Sequence, residues 1–139
     1  MTGKCFLDSN AWVYFFTPED QTKHDIIKRF VKERQASGLL FTSWQIINEV
    51  WRTLLRKNVR GPVAREMAEF IYTSCERVDF SFDLLELAHE LRSRHSVSYW
   101  DSLVVAAAMK SDCRYLISED MQDGRWFDNT KISNIFHPS

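Results

Sequence analysis

Short apolar runs alternate with stretches of helical periodicity along the whole of this chain. That alternation constrains the fold more than any other feature. Strands separated by helices pair in parallel, and the sheet they form is covered on both faces. Strand candidates are residues 4–7, Leu39-Leu40-Phe41, Val78 to Phe80 and Tyr115 to Ile117, with Ile132 to Phe136 as a candidate edge strand. Between them the periodicity predicts helices around Ala11 to Phe16 and from Lys23 to Arg34, where Ile26, Ile27, Phe30 and Val31 share a face. Gly38 breaks that pattern. Thr42 and Gln45 form a candidate capping box for a helix running to about Lys57. Gly61-Pro62 starts the next, to about Cys75. Two more follow, Leu84 to Arg94 and Tyr99 to about Ser111.

Acidic residues stand where this pattern gives them a role. Cys5-Phe6-Leu7 leads into Asp8-Ser9-Asn10, and Arg114-Tyr115-Leu116-Ile117 leads into Ser118-Glu119-Asp120. Open α/β sheets bind ligands at the carboxyl ends of their strands. Carboxylates gathered there repel, by roughly 4 kcal/mol for unit charges about 4 Å apart at an effective dielectric of 20. A hard divalent cation, Mg²⁺ or Mn²⁺, is the natural occupant of such an oxygen-only site.

Each acid also has a structural reading. Asp8, between a strand and a helix, suits a helix cap as well as a ligand. Asp101 lies three residues after Ser98, as in a capping box. Yet the run Leu103 to Met109 is apolar nearly all round, and an acid at the mouth of a buried helix needs a partner, which favours a functional role. Glu49 falls off the apolar stripe of Ile46, Ile47, Val50, Trp51, Leu54 and Leu55 and shares its face with Arg52 and Arg56. Periodicity alone reads it as a solvated residue paired with Arg52. Glu119, Asp120 and Asp123 fit a polar loop or a ligand set, and nothing in their spacing chooses among them. The five tryptophans fall mostly at helix-stripe positions or loop starts, which predicts core packing.

Composition narrows the function classes. The 139 residues, 45% hydrophobic and 27% charged, suit one soluble domain. No apolar run follows a basic N-terminus, so neither a signal peptide nor a membrane span is expected. Cys5, Cys75 and Cys113 are widely spaced in apolar surroundings and read as reduced core thiols of a cytoplasmic protein. The four histidines lack zinc-ligand spacing. A net charge of −1 argues against sequence-blind coating of nucleic acid.

At these residues the chain resembles the PIN domain family, and within it the VapC-type toxins. The fragments that carry the resemblance are Phe6-Leu7-Asp8-Ser9-Asn10, Asn48-Glu49-Val50, Ser98-Tyr99-Trp100-Asp101-Ser102-Leu103 and Leu116-Ile117-Ser118-Glu119-Asp120-Met121-Gln122-Asp123-Gly124. The resemblance implies one PIN-like nuclease domain over residues 1–139, an α/β/α sandwich around a central parallel sheet of four to five strands. It implies that Asp8, Glu49, Asp101 and Asp120 hold one or two Mg²⁺ or Mn²⁺ ions, overturning the solvated reading of Glu49. Ser118 matches a supporting hydroxyl, and Asn10 and Asp123 stand as supporting or alternative ligands. Arg52 and Arg56 become candidate phosphate contacts. The implied activity is hydrolysis of RNA phosphodiesters. The implied partners are the RNA substrate, a cognate antitoxin protein and a second copy in a homodimer, with no membrane.

Rival folds fit less well. A haloacid-dehalogenase-like phosphatase wants a second Asp where Asn10 stands. A receiver-type phosphoacceptor wants a lysine after a late strand, and the segment from Tyr115 to Glu119 has none. A non-catalytic binding module on the same fold is the alternative from another class.

Overall fold

A computed structural model describes residues 1–137. Six strands and six helices follow in the order β1 (Cys5–Leu7), α1 (Ser9–Phe16), α2 (Gln21–Gln35), β2 (Leu40–Ser43), α3 (Trp44–Arg56), α4 (Gly61–Ser74), β3 (Glu76–Val78), α5 (Phe82–Arg94), α6 (Tyr99–Lys110), β4 (Tyr115–Ile117), β5 (Trp126–Phe127) and β6 (Thr130–Ser133). The strands form one sheet in the order β3-β2-β1-β4-β6-β5, parallel except for β5.

The chain builds outward from β1 to β2 and β3, then crosses to β4 on the other side of β1. The order therefore reverses between β1 and β4, and a crevice opens beyond their carboxyl ends. Since parallel crossovers are right-handed as a rule, the reversal of strand order sends α1 to α4 to one face of the sheet and α5 with α6 to the other. Accordingly α1 packs on α2 and α3, α3 on α4, and α5 on α6.

The central strands are buried from both sides. Cys5, Phe6, Leu7, Leu116 and Ile117 are fully buried. α6 is sealed from Ser102 to Ala108, as its nearly continuous apolar run requires. All three cysteines are free and buried, and burial pushes the thiols of Cys75 and Cys113 up to about 12, leaving them unreactive. No helix among the described residues is long and apolar enough to cross a membrane.

Several boundaries differ from the sequence expectation, each for a local reason. β2 runs on through Ser43, so Thr42 lies inside the strand with its hydroxyl buried and unpartnered. Ser43 caps α3 instead, its Oγ accepting from the Ile46 N–H at 3.4 Å. β3 ends at Val78, two residues before Phe80, because Ser81 must turn to cap α5 by accepting from the Leu84 N–H. Five of the strands are parallel, as expected, but the last of them, β6, covers Thr130–Ser133 instead of Ile132 to Phe136 and lies inside the sheet beside β4. The two-residue β5 then folds back beside β6 and takes the edge. Tryptophan is the largest departure. Only Trp12 is in the core, while Trp44, Trp51, Trp100 and Trp126 are exposed, as is Leu55.

Candidate active site

The crevice beyond β1 and β4 is a cleft of about 570 Å³, with Asp8 and Asp120 contributed from the sheet side. One wall is α3, through Gln45, Asn48, Glu49, Arg52 and Thr53. Those positions recur at helical spacing, a polar stripe beside the buried one of Ile46, Ile47, Val50 and Leu54. The opposite wall is the start of α6, through Trp100, Asp101 and Val104. Asp8, Glu49, Asp101 and Asp120 thus line one cleft although up to 112 positions of sequence separate them.

Asp8 is at once a cap and a cleft residue, so its two readings do not exclude each other. Its Oδ1 accepts from the Ser9 N–H at 2.8 Å at the start of α1, and its Oδ2 accepts from the buried Ser118 hydroxyl at 2.8 Å. Burial raises the Asp8 carboxyl to about 6, against the pull of these two hydrogen bonds, and the charges of Glu49 and Asp101 push it the same way. Asp101 stands in the first turn of α6, where its N–H donates to the Ser98 Oγ at 3.2 Å and its carboxylate faces the cleft. Glu49 is half-buried and accepts from Gln45 Nε2 at 3.0 Å.

The loop after β4 separates its three acids. Asp120 reaches the cleft, where Asn10 Nδ2 donates to its Oδ2 at 3.1 Å and approaches the Asp8 Oδ2 at 3.5 Å. Glu119 turns away to α1 and α2. It pairs with Lys23 Nζ at 2.6 Å and accepts from the Tyr14 hydroxyl at 2.7 Å. Burial works to raise its carboxyl, but the bonds from Lys23 and Tyr14 outweigh that and hold it below the ordinary range. Asp123 accepts from the Asn134 N–H at 2.9 Å, fixing the loop, and does not line the cleft. Of the two candidate phosphate contacts, Arg52 lines the cleft and Arg56 lies in the hollow beside it.

The donor set facing the cleft is entirely oxygen and fits a hard divalent cation. As the side chains stand, no three His, Cys, Asp or Glu among the described residues are gathered closely enough to hold an ion. Gln45 and Trp100 are cleft residues that the sequence reading assigned to a cap and to the core. The spacing of Gln45, Asn48, Glu49 and Arg52 was the available signal for the first.

Fold and cleft together define a class: an α/β/α domain with an acidic crevice where its parallel strands end. The PIN domain family model matches residues 5–126, and the chain belongs to that family. No curated protein matches it by sequence. Among solved structures it is similar to VapC20 of Mycobacterium tuberculosis, a sarcin-ricin loop cleaving toxin, with TM-score 0.63 and 26% identity over 84% of this chain and 90% of that one. It also resembles VapBC2 from Rickettsia felis, solved bound to a DNA fragment from their promoter, with TM-score 0.70 over 94% of this chain and 97% of that one. Identity there is 15%, so that likeness speaks for the fold alone.

Proposed function

We propose that this protein is a Mg²⁺- or Mn²⁺-dependent endoribonuclease, the toxin of a toxin–antitoxin pair. The observation that carries the reading is the convergence of Asp8, Glu49, Asp101 and Asp120 on one cleft at the switch point of the sheet. Membership of the PIN family and the likeness to a sarcin-ricin loop cleaving toxin support RNA as the substrate.

In this reading Asp8, Asp101, Asp120 and Glu49 hold the metal. When bound, Mg²⁺ or Mn²⁺ supplies Lewis-acid activation of water and neutralises charge at the phosphate. The chain's own residues prepare that chemistry. Ser118 and the Ser9 N–H fix both oxygens of Asp8, so the deepest carboxylate holds one orientation. Asn10 ties Asp120 to the same place, and its Oδ1 accepts from the Glu119 N–H at 3.3 Å, locking the loop after β4 against α1. Gln45 steadies Glu49 across one turn of α3. Arg52, on the same wall, orients a phosphate oxygen.

A cytoplasmic site of action suits three free, buried thiols. A cognate antitoxin that covers the cleft and assembly as a homodimer belong to the same reading. The test is Mg²⁺- or Mn²⁺-dependent cleavage of cellular RNA, with ends mapped after induction. Near-neutral charge gives little general attraction for phosphate, so the cut RNAs should be few and structured, and growth should arrest. Equal arrest by an Asp8→Asn, Asp101→Asn double variant would mean toxicity by binding, and the nuclease reading would be withdrawn.

A further inference from the structure

Among the ion pairs of the described residues, Lys23–Glu119 is the shortest, at 2.6 Å, and joins the residues furthest apart in sequence. Its side chains are 28% and 24% exposed, whereas every other pair has at least one well-exposed partner. Exposed pairs hold little, because water and side-chain freedom compete with them. The Tyr14 hydroxyl closes the group, donating to Glu119 Oε1 at 2.7 Å and accepting from Lys23 Nζ at 3.3 Å. Tyr14 is itself held. Its ring meets Phe136 edge-on at 5.2 Å, and the Lys23 ammonium lies 4.9 Å from the ring centre.

The place of this group in the chain gives it more than a stabilising role. Glu119 stands between Ser118, whose hydroxyl donates to Asp8, and Asp120. Its backbone N–H donates to Asn10 Oδ1, so the start of α1 grips the loop after β4 by the main chain. Tyr14, further along α1, and Lys23 on α2 grip the same residue by its side chain. Asp120 needs that support. It is exposed, and among the described residues its carboxylate receives one hydrogen bond, from Asn10. A carboxylate on an unsupported loop must be ordered when a cation arrives, and that cost is subtracted from affinity unless the loop is held beforehand.

We propose that Lys23 and Tyr14 are positioning residues for the metal site: through Glu119 they hold the loop after β4 in the conformation that presents Asp120 to the cation. The inference rests on the metal-dependent reading of the cleft and adds to it two residues that do not line the cleft. Simple electrostatics predicts the opposite sign for one of them. Lys23 is a positive charge held against the neighbour of Asp120. Removing it would leave the field of the cleft carboxylates less opposed and draw a cation in more tightly. A loss of metal affinity on removing Lys23 therefore reports position and not charge.

Calorimetric titration of Mn²⁺ into the full chain measures this without turnover. Lys23→Met should weaken Mn²⁺ binding about tenfold, the lower end of what the partners of metal ligands contribute. Lys23→Arg can still pair with Glu119 and should recover most of that loss. Tyr14→Phe changes no charge and keeps a ring against Phe136, yet should weaken binding in the same direction. Arg65→Gln, which breaks the pair with Glu69 on α4, is the control and should bind as the wild type does. The Mn²⁺ concentration for half-maximal RNA cleavage should rise in Lys23→Met by the factor that calorimetry gives. Affinity in Lys23→Met equal to or tighter than that of the wild type would overturn the proposal, even with a lowered Tm, because a purely structural pair moves Tm alone. Lys23→Arg binding no better than Lys23→Met would overturn it too. Should Lys23→Met not fold, Tyr14→Phe decides, and wild-type affinity there is the refuting result. The two readings fail separately. If the wild type binds Mn²⁺ and the variants match it, only the positioning role falls; if the wild type binds none, the metal-dependent reading falls and takes the proposal with it.

Discussion

Replacing Asp8 with Asn should make the metal-free protein more stable at neutral pH, although it neutralises the most deeply buried carboxylate of the cleft. The folded state raises the Asp8 carboxyl from its ordinary 3.8 to about 6, chiefly by burial. Between about pH 4 and pH 6 the folded chain therefore binds more protons than the unfolded one. Stability falls as pH rises through that window, and by about pH 7 the penalty reaches roughly 3 kcal/mol. Asn escapes this penalty and keeps an oxygen for the α1 cap, but it cannot accept from both Ser9 and Ser118 as the carboxylate does. A net gain of about 1–2 kcal/mol remains after that loss. For a chain of 139 residues this is a rise in Tm of about 3–7 °C. Thermal melts in EDTA from about pH 4 to pH 8 should show Asp8→Asn the less stable in acid, where only the lost hydrogen bond counts, and overtaking the wild type as pH rises. Saturating Mn²⁺, at about 100 times its Kd, should then add roughly 2.7 kcal/mol to the wild type and little to the variant. A variant less stable than wild type at neutral pH, or a difference independent of pH, would refute the argument from burial and repulsion.

Glu49→Gln should retain the fold within a few tenths of a kcal/mol, since Gln45 can still donate to the remaining oxygen, and should abolish cleavage. Circular dichroism and RNA cleavage on one preparation decide this, and full activity would remove Glu49 from the site. Glu119→Gln should do the reverse, keeping cleavage at saturating Mn²⁺ while lowering stability through its weakened bonds to Lys23 and Tyr14. Because the Glu119 carboxyl is held low, that loss should be full at neutral pH and vanish as pH falls through the folded value, which urea titrations at several pH values can follow. Ser118→Ala withdraws the hydroxyl donor from Asp8 Oδ2 and should move the midpoint of the metal-free stability-versus-pH curve above that of the wild type; an unmoved midpoint would mean the hydroxyl does not support the carboxylate.

The features legible in the sequence are those enforced by burial on more than one side. β1, β4 and the Ser102 to Ala108 body of α6 have no exposed face to supply polar residues, so their apolar runs stand out and their ends fall close to where periodicity puts them. Boundaries governed by hydroxyl caps were harder to place. Thr42 and Ser43 are both good caps, and only the register of β2 against β3, with Ser43 paired to Val78, makes the second one cap α3. β5 and β6 were illegible as a hairpin because one strand is two residues long and relies on the other for its order.

The site was legible in proportion to how far each residue depends on the sheet. Asp8 directly follows a central strand, so locating the strand located the acid. Glu49 does not, and one helix cannot tell water from a cleft as the occupant of its polar face; the opposing wall, the first turn of α6, is 52 positions further along. The tryptophans fail for the complementary reason. Trp51 fits the apolar stripe of α3 by spacing, yet the buried arc is filled by Ile46, Ile47, Val50 and Leu54. Trp51 and Leu55 lie at the margin of that arc, where they line the hollow leading into the cleft. Trp51 and Trp100 both stay exposed, and both fall beside the carboxylates. In a sequence they are indistinguishable from core residues until the volume of the core is known, which is why the acids could be found before the rim of the cleft that holds them.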